Sequence, residues 1–142
     1  MAKRLLRMTI PSEFPAGQKA QKDILAAAIE NGFKDNSMFA LRLGLEEALH
    51  NAIEHGNRLD PHKKVRIRAS VSPTLIEIVI EDEGPGFDPA CVPDPRMEEN
   101  LEKCGGRGIL LIQAYMDEVE WTNGGRKLRM KKKNEENGPR ID

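Results

Sequence analysis

Along residues 63–71 (KKVRIRASV) and 74–82 (TLIEIVIED) apolar and polar side chains alternate, the period of a strand half buried against a core. In the second stretch Leu75, Glu77, Val79 and Glu81 fall on one side and Ile76, Ile78 and Ile80 on the other. Ser72-Pro73 between the two marks a hairpin turn. Residues 4–10 alternate more loosely and predict an edge strand, followed by a turn at PSEFPAG. Elsewhere the period is helical. Ala20, Ile24, Ala27, Ala28 and Asn31 are spaced for a helix over 16–31, stopped at Asn31-Gly32. A second helix is expected from a cap at Asp35, Asn36 or Ser37 to about His55, before Gly56. A short apolar helix over 109–116 follows later, then a closing hairpin of DEVEW and RKLRMKK around Asn123-Gly124-Gly125. Strands and helices are partly segregated in this order. That predicts an α+β fold, a two-layer sandwich with a mainly antiparallel sheet, and not a Rossmann-type alternation.

Between the central hairpin and the last helix the pattern lapses. Residues 83–108 hold four prolines, five glycines and few apolar residues. A loop this long inside a compact domain is uncommon and is often a functional lid. The lid is expected at about 87–105 of a single domain spanning 1–133, with a mobile tail over 134–142. The length of 142 residues fits one domain around one core. Net charge is −1 and aromatic residues are 4%, so neither nucleic acid nor a membrane surface is an expected partner. The basic run of Arg126, Lys127, Arg129, Lys131, Lys132 and Lys133 reads as one solvated side of a terminal strand. No stretch approaches a membrane span, and a cytosolic protein is expected, with Cys91 and Cys104 as free thiols. Neither the cysteines nor the pairs Glu47/His50 and His50/Glu54 find the further ligands a zinc site needs.

The second helix has two faces. Met38, Leu41, Leu45, Ala48, Leu49 and Ala52 cluster on one arc, which is the core face. Ala40, Gly44, Glu47 and Asn51 form a continuous stripe away from it, and Glu47 and Asn51 are neighbours four apart. Gly44 in mid-helix costs about 1 kcal/mol relative to Ala. Either the stripe is a solvated face with an incidental glycine, or it leaves room for something to approach the backbone.

Two glycine-rich turns add chemistry. In EDEGPGF, Asp82 stands at the end of a strand, and Gly84 and Gly86 let the chain turn sharply. A carboxylate there can accept a hydrogen bond from an exocyclic amine, which selects adenine over guanine; the alternative is a plain Gly-Pro-Gly turn. In CGGRGILLI three glycines open a helix whose free N–H groups favour a phosphate, and Arg107 can add a charge-assisted bond. No Lys-Ser/Thr follows, so this is not a P-loop; the alternative is a hinge before a core helix.

The order of these signals resembles the three boxes of the GHKL ATPases, the histidine-kinase-like ATP-binding family. EEALHNAIEHGN looks like the N box of its single-domain branch, the anti-sigma-factor serine/threonine kinases, and IPSEF looks like their start. The resemblance covers about residues 8–132 and implies the family's two-layer ATP-binding (Bergerat) fold, with helices on one face of the sheet. It implies Glu47 as the catalytic carboxylate, Asn51 as the ligand of a Mg²⁺ ion bridging the phosphates, and Asp82 as the reader of adenine. Gly84 and Gly86 would shape the pocket wall. Gly106, Arg107 and Gly108 would match the second glycine box at the phosphates, and His55 and Gly56 the end of the N box, with His55 structural. Glu46, His50 and Glu54 receive no role. One departure is plain. Members commonly carry Gly-Thr near the start of the last strand, its hydroxyl near the adenine, whereas this chain reads NGGRKLRM, with Thr122 earlier.

The resemblance implies a kinase of a partner-switching system. It would use ATP and Mg²⁺ to phosphorylate Ser or Thr of a small antagonist protein, and would bind a sigma factor or analogous output protein. Members of that branch are often homodimers. The alternative is a nucleotide-dependent protein-binding regulator without kinase activity, for which Glu47 is dispensable.

Overall fold

The computed structural model describes residues 3–86 and 107–135, apart from the side chain of Arg107. Strand β1 (Arg4–Pro11) leads into helix α1 (Phe14–Glu30) and helix α2 (Asp35–His50). A π-helical turn, Asn51–Gly56, extends α2. The hairpin β2 (Lys64–Val71) and β3 (Leu75–Glu81) follows, then α3 (Arg107–Tyr115), β4 (Glu118–Thr122) and β5 (Lys127–Lys133). The sheet runs β1-β2-β3-β5-β4, and every pairing is antiparallel. The predicted α+β sandwich is what the chain forms, with the helices on one face.

Alternation decides which face is which. Ile67 pairs with Ile80 and Ile78 with Met130, placing all four on the inner side. They meet Ile24, Leu41 and Leu45 of the helices, and all are at most 2% exposed. Each such side chain contributes about 1.5–3 kcal/mol by leaving water. The core arc expected on α2 is buried throughout. α3 adds Ile112, and Met116 just beyond it, to the same core.

Several expectations need correction. α1 starts at Phe14 with Pro15 in its first turn, where a missing N–H costs nothing. α2 is preceded by Lys34, which makes no side-chain cap; Asp35 instead lies in the first turn, where its charge suits the helix dipole. The α-helical geometry ends at His50, not His55. In β5, the last strand, Lys127, Arg129, Lys131 and Lys133 share the outer side as expected, but Lys132 does not. Lys132 faces inward, 7% exposed, and pairs with Asp117 at 3.4 Å. The segment expected to be mobile from 134 begins tied down. Asn134 donates to the carbonyls of Gly32 (3.1 Å) and Pro73 (2.8 Å) and accepts from the Lys34 N–H (2.8 Å). The lid expected at 87–105, Cys91, Cys104, Gly106 and residues 136–142 lie outside the described residues.

Candidate functional site

The site residues come from the ends of α2 and β3 and the start of α3. α2 carries Glu47 and ends in the turn that holds Asn51, His55 and Gly56. β3 ends at Glu81, and Asp82 to Gly86 follow as an irregular turn. α3 opens with Arg107 and Gly108.

Two pairs of these meet directly. A methyl group on Gly108 would lie 3.1 Å from Glu47 Oε2, so the start of α3 is seated against the Glu47 carboxylate. A methyl on Gly56 would lie 2.5 Å from both Cγ and Oδ2 of Asp82. Gly84 is packed still tighter, since its Cβ would fall 1.9 Å from the Gly56 carbonyl oxygen. The N-box end and the Asp82 turn therefore touch through glycines. Asn51 lies between the two groups along the chain, and its backbone N–H is shared between the Glu47 and Ala48 carbonyls.

Asp82 is partly buried, and its carboxyl titrates above the ordinary value. Burial is the main cause, and Glu81 adds to it. The Gly84 N–H, donating to Oδ1 at 2.9 Å, and the charges of Arg126 and Lys63 act the other way. Oδ2 has no hydrogen-bond partner among the described residues, which leaves one lone-pair face for a donor from outside. Glu47 and Asn51 are half-buried and likewise have no side-chain partner there.

The small residues of the α2 stripe acquire a cause. Gly44 is buried beneath α3, where a methyl would lie 2.8 Å from Met116 Sδ and 3.9 Å from Tyr115 Cβ. The gap admits Met116, and by letting α3 lie close to α2 it sets Gly108 against Glu47. His50 and Glu54 form an ion pair one turn apart, and His50 stacks on Phe14 at 4.9 Å. Both face α1 and take no part in the site. His55 is exposed, its ring 6.3 Å from that of His50, so Gly56, not His55, is the structural residue there.

Two residues that frame the site were not singled out from the sequence. Asn57 is fully buried and satisfied on both sides. Its amide donates to Ser12 Oγ and to the Lys64 carbonyl, both at 2.9 Å, and its oxygen accepts the Glu83 N–H at 2.7 Å. It thus ties the exit of α2 to the residue after Asp82. Arg126 donates from Nε to the Gly84 carbonyl (2.7 Å), from Nη2 to Pro85 (3.1 Å) and from Nη1 to Asn123 (3.0 Å). The only available signal for Asn57 was a buried-type polar residue closing an apolar turn. For Arg126 it was the place where Gly-Thr was expected.

Comparison with known proteins agrees with this arrangement. The sequence profile of the histidine kinase-like ATPase domain matches residues 15–132. The chain belongs to this family. It is 29% identical over 124 residues to the serine-protein kinase RsbW of Oceanobacillus iheyensis, covering 83% of this chain and 78% of that protein. To the anti-sigma F factor of Clostridium perfringens it is 33% identical over 103 residues, covering 66% of this chain and 70% of that protein. Within the family it is thus a GHKL-type domain related to the anti-sigma-factor serine/threonine kinases. Among solved structures it resembles the RsbU and RsbW domains of Rv1364c from Mycobacterium tuberculosis. The TM-score is 0.62 at 14% identity, over 92% of this chain and 31% of that one, a likeness of fold. Family membership implies a capacity for ATP and Mg²⁺. No described helix is long and apolar enough to cross a membrane.

Proposed function

We propose that the chain is a serine/threonine protein kinase of a partner-switching system, using ATP to phosphorylate a small antagonist protein and holding a sigma factor or analogous output protein in turn. The observation that carries this is the seating of Gly108 against an unpartnered Glu47 carboxylate. It places a candidate base at the mouth of a helix N-terminus suited to phosphate.

Asp82 reads the adenine amine with its free Oδ2, and Gly56 and Gly84 keep the wall beside it thin. From Gly56 to Glu47 the chain advances on the order of 10 Å along the axis, less than an all-α stretch of that length because the last turn is π-helical, a span that an extended nucleoside triphosphate bridges. The phosphates lie at the backbone N–H groups of Arg107 and Gly108 that open α3, and Gly106 keeps the role in the second glycine box that the resemblance implies. Bound Mg²⁺ supplies neutralisation of phosphate charge. Asn51 is the residue whose amide oxygen would hold it, a hard donor that suits the ion. Glu47, one turn before Asn51, takes the proton of the attacking hydroxyl. This reading makes residues 1–133 one catalytic domain, acting where cytosolic ATP is available, as a monomer or a homodimer.

The test is transfer of labelled γ-phosphate to the antagonist, with wild type and Glu47→Ala. Loss of a general base predicts a fall of about 10²–10⁴-fold, with the ATP-induced rise in melting temperature retained. Transfer at the wild-type rate in the variant contradicts the role of Glu47. No transfer by wild type, with ATP-dependent partner binding intact, gives the non-catalytic regulator instead.

A further inference from the structure

The turn that carries Asp82 has an internal side-chain bond, from the Gly84 N–H to Asp82 Oδ1, and packs against the β4–β5 turn. Gly86 sits at φ 78°, and a Cβ there would lie 2.1 Å from the Gly124 carbonyl oxygen. Gly124 is itself at φ 64°, in the turn between β4 and β5. Two glycine turns are thus pressed together at the edge of the candidate pocket. The Asp82 N–H donates to the Arg126 carbonyl at 2.9 Å, and Asn123 Nδ2 donates to Glu81 Oε2 at 3.1 Å. Across this seam the Arg126 side chain reaches three backbone carbonyls, those of Gly84 and Pro85 on one side and Asn123 on the other. Thr122, the nearest threonine, is exposed and paired with Lys127, so it does not stand in at the seam.

We propose that Arg126 is the positioning residue of the base end of the pocket, stapling the Asp82 turn to the β4–β5 turn so that the carboxylate meets the adenine amine in a fixed place. The inference rests on the reading of Asp82 as the adenine-binding residue. The guanidinium suits the task because its donors form a rigid planar fork, and carbonyl oxygens are the acceptors a peptide turn presents. The Gly84 N–H that orients Asp82 Oδ1 lies in the adjoining peptide group, so holding the Gly84 carbonyl limits how far the turn can carry that donor away. A lysine would keep the charge but not the fork. A glutamine would keep neither the fork nor the charge.

The two substitutions therefore separate geometry from charge. The experiment measures two things on wild type, Arg126→Lys and Arg126→Gln: the titration of the Asp82 carboxyl by ¹³C NMR without nucleotide, and the dissociation constant of ATP against pH. Melting temperature without nucleotide checks that each variant is folded. The expected result is ATP binding weakened about tenfold in both variants. In Arg126→Gln alone the Asp82 titration moves up by about half a unit or more, carrying the acid limb of ATP binding with it. A purely structural role lowers the melting temperature but moves neither. Unchanged titration and unchanged ATP affinity in both variants overturn the proposal. If wild type binds no ATP, the functional reading fails. The Asp82 titration, with amide exchange at Gly84 and Gly86, then still decides whether Arg126 holds the turn.

Discussion

Asp82 sits in surroundings that disfavour its own charge. Its carboxyl titrates above the ordinary value because it is partly buried, with Gly84, Arg126 and Lys63 compensating in part. A raised acid binds its proton more tightly in the folded state than in the unfolded one. Below the unfolded value of about 3.9 both states are protonated and the group is neutral in its effect. As pH rises from there through the raised folded value, stability falls, and above it the full penalty stays. Asp82→Asn removes the charge while keeping an oxygen for the Gly84 N–H. Thermal unfolding should give this variant a melting temperature equal to or above wild type at pH 7, with the advantage gone below about pH 4. A clearly lower value at pH 7 would contradict the account of the site. Asn57 is the opposite case, a polar residue whose burial is matched bond for bond, so that it holds the pocket frame without strain.

Among the elements, the strands and the core arc of α2 were legible because burial imposes a period on sequence. Ile76, Ile78 and Ile80 could face only one way once Glu77 and Glu81 faced the other. The change from α-helix to π-helical turn at Asn51 left no such trace. Asn51 to Gly56 keep a plausible α-period, and the wider turn is fixed by what lies beyond it: the buried Asn57 side chain, and the Asn57 N–H bonded to the Ala52 carbonyl at 2.9 Å. Contacts between distant turns were equally silent: the basic run from Arg126 reads as solvated, and nothing in it announces the bonds of Arg126 to the Gly84 and Pro85 carbonyls. The stripe of Gly44 and Glu47 left open whether anything approaches the helix, and the packing of α3 over Gly44 gives the answer. Gly108→Ala tests that packing. Its methyl would meet the end of a flexible carboxylate at 3.1 Å, so the fold can give. The melting temperature should stay within about 3 °C of wild type, while phosphate transfer falls at least tenfold through displacement of Glu47. Equal transfer would show that Gly108 and Glu47 do not act together.

At the scale of the whole molecule the outer face of the sheet brings basic side chains together, with Glu77 and Glu81 pairing to Lys131 and Arg66 among them. On the face of the sheet away from the helices, Arg7 stands opposite Arg68, and Val79 separates Arg68 from Arg129. A shallow hollow of about 350 Å³ is lined by Arg7, Arg66, Arg68 and Lys127, although the chain as a whole has net charge −1. Like charges directly across a strand pair cost roughly 0.2–1 kcal/mol. Arg7→Thr should therefore raise the melting temperature in low salt, and the gain should shrink as added salt screens the pair. A loss of stability in low salt would mean that Arg7 packs rather than repels. The opposite face buries the core and brings the ends of α2 and β3 and the start of α3 together, so fold and site are consequences of one sandwich.

The claim on which the rest depends is that the ends of α2 and β3 and the start of α3 form an adenine nucleotide pocket. The most direct measurement is thermal unfolding of wild type and Asp82→Asn with ATP, ADP and GTP, each with and without Mg²⁺. A ligand at 100 times its dissociation constant adds about 2.7 kcal/mol, a rise of roughly 5–15 °C for a domain of this size. The account predicts a Mg²⁺-dependent rise with ATP and ADP, none with GTP, and none with any nucleotide in Asp82→Asn. No rise with ATP, or an equal rise with GTP, would contradict it.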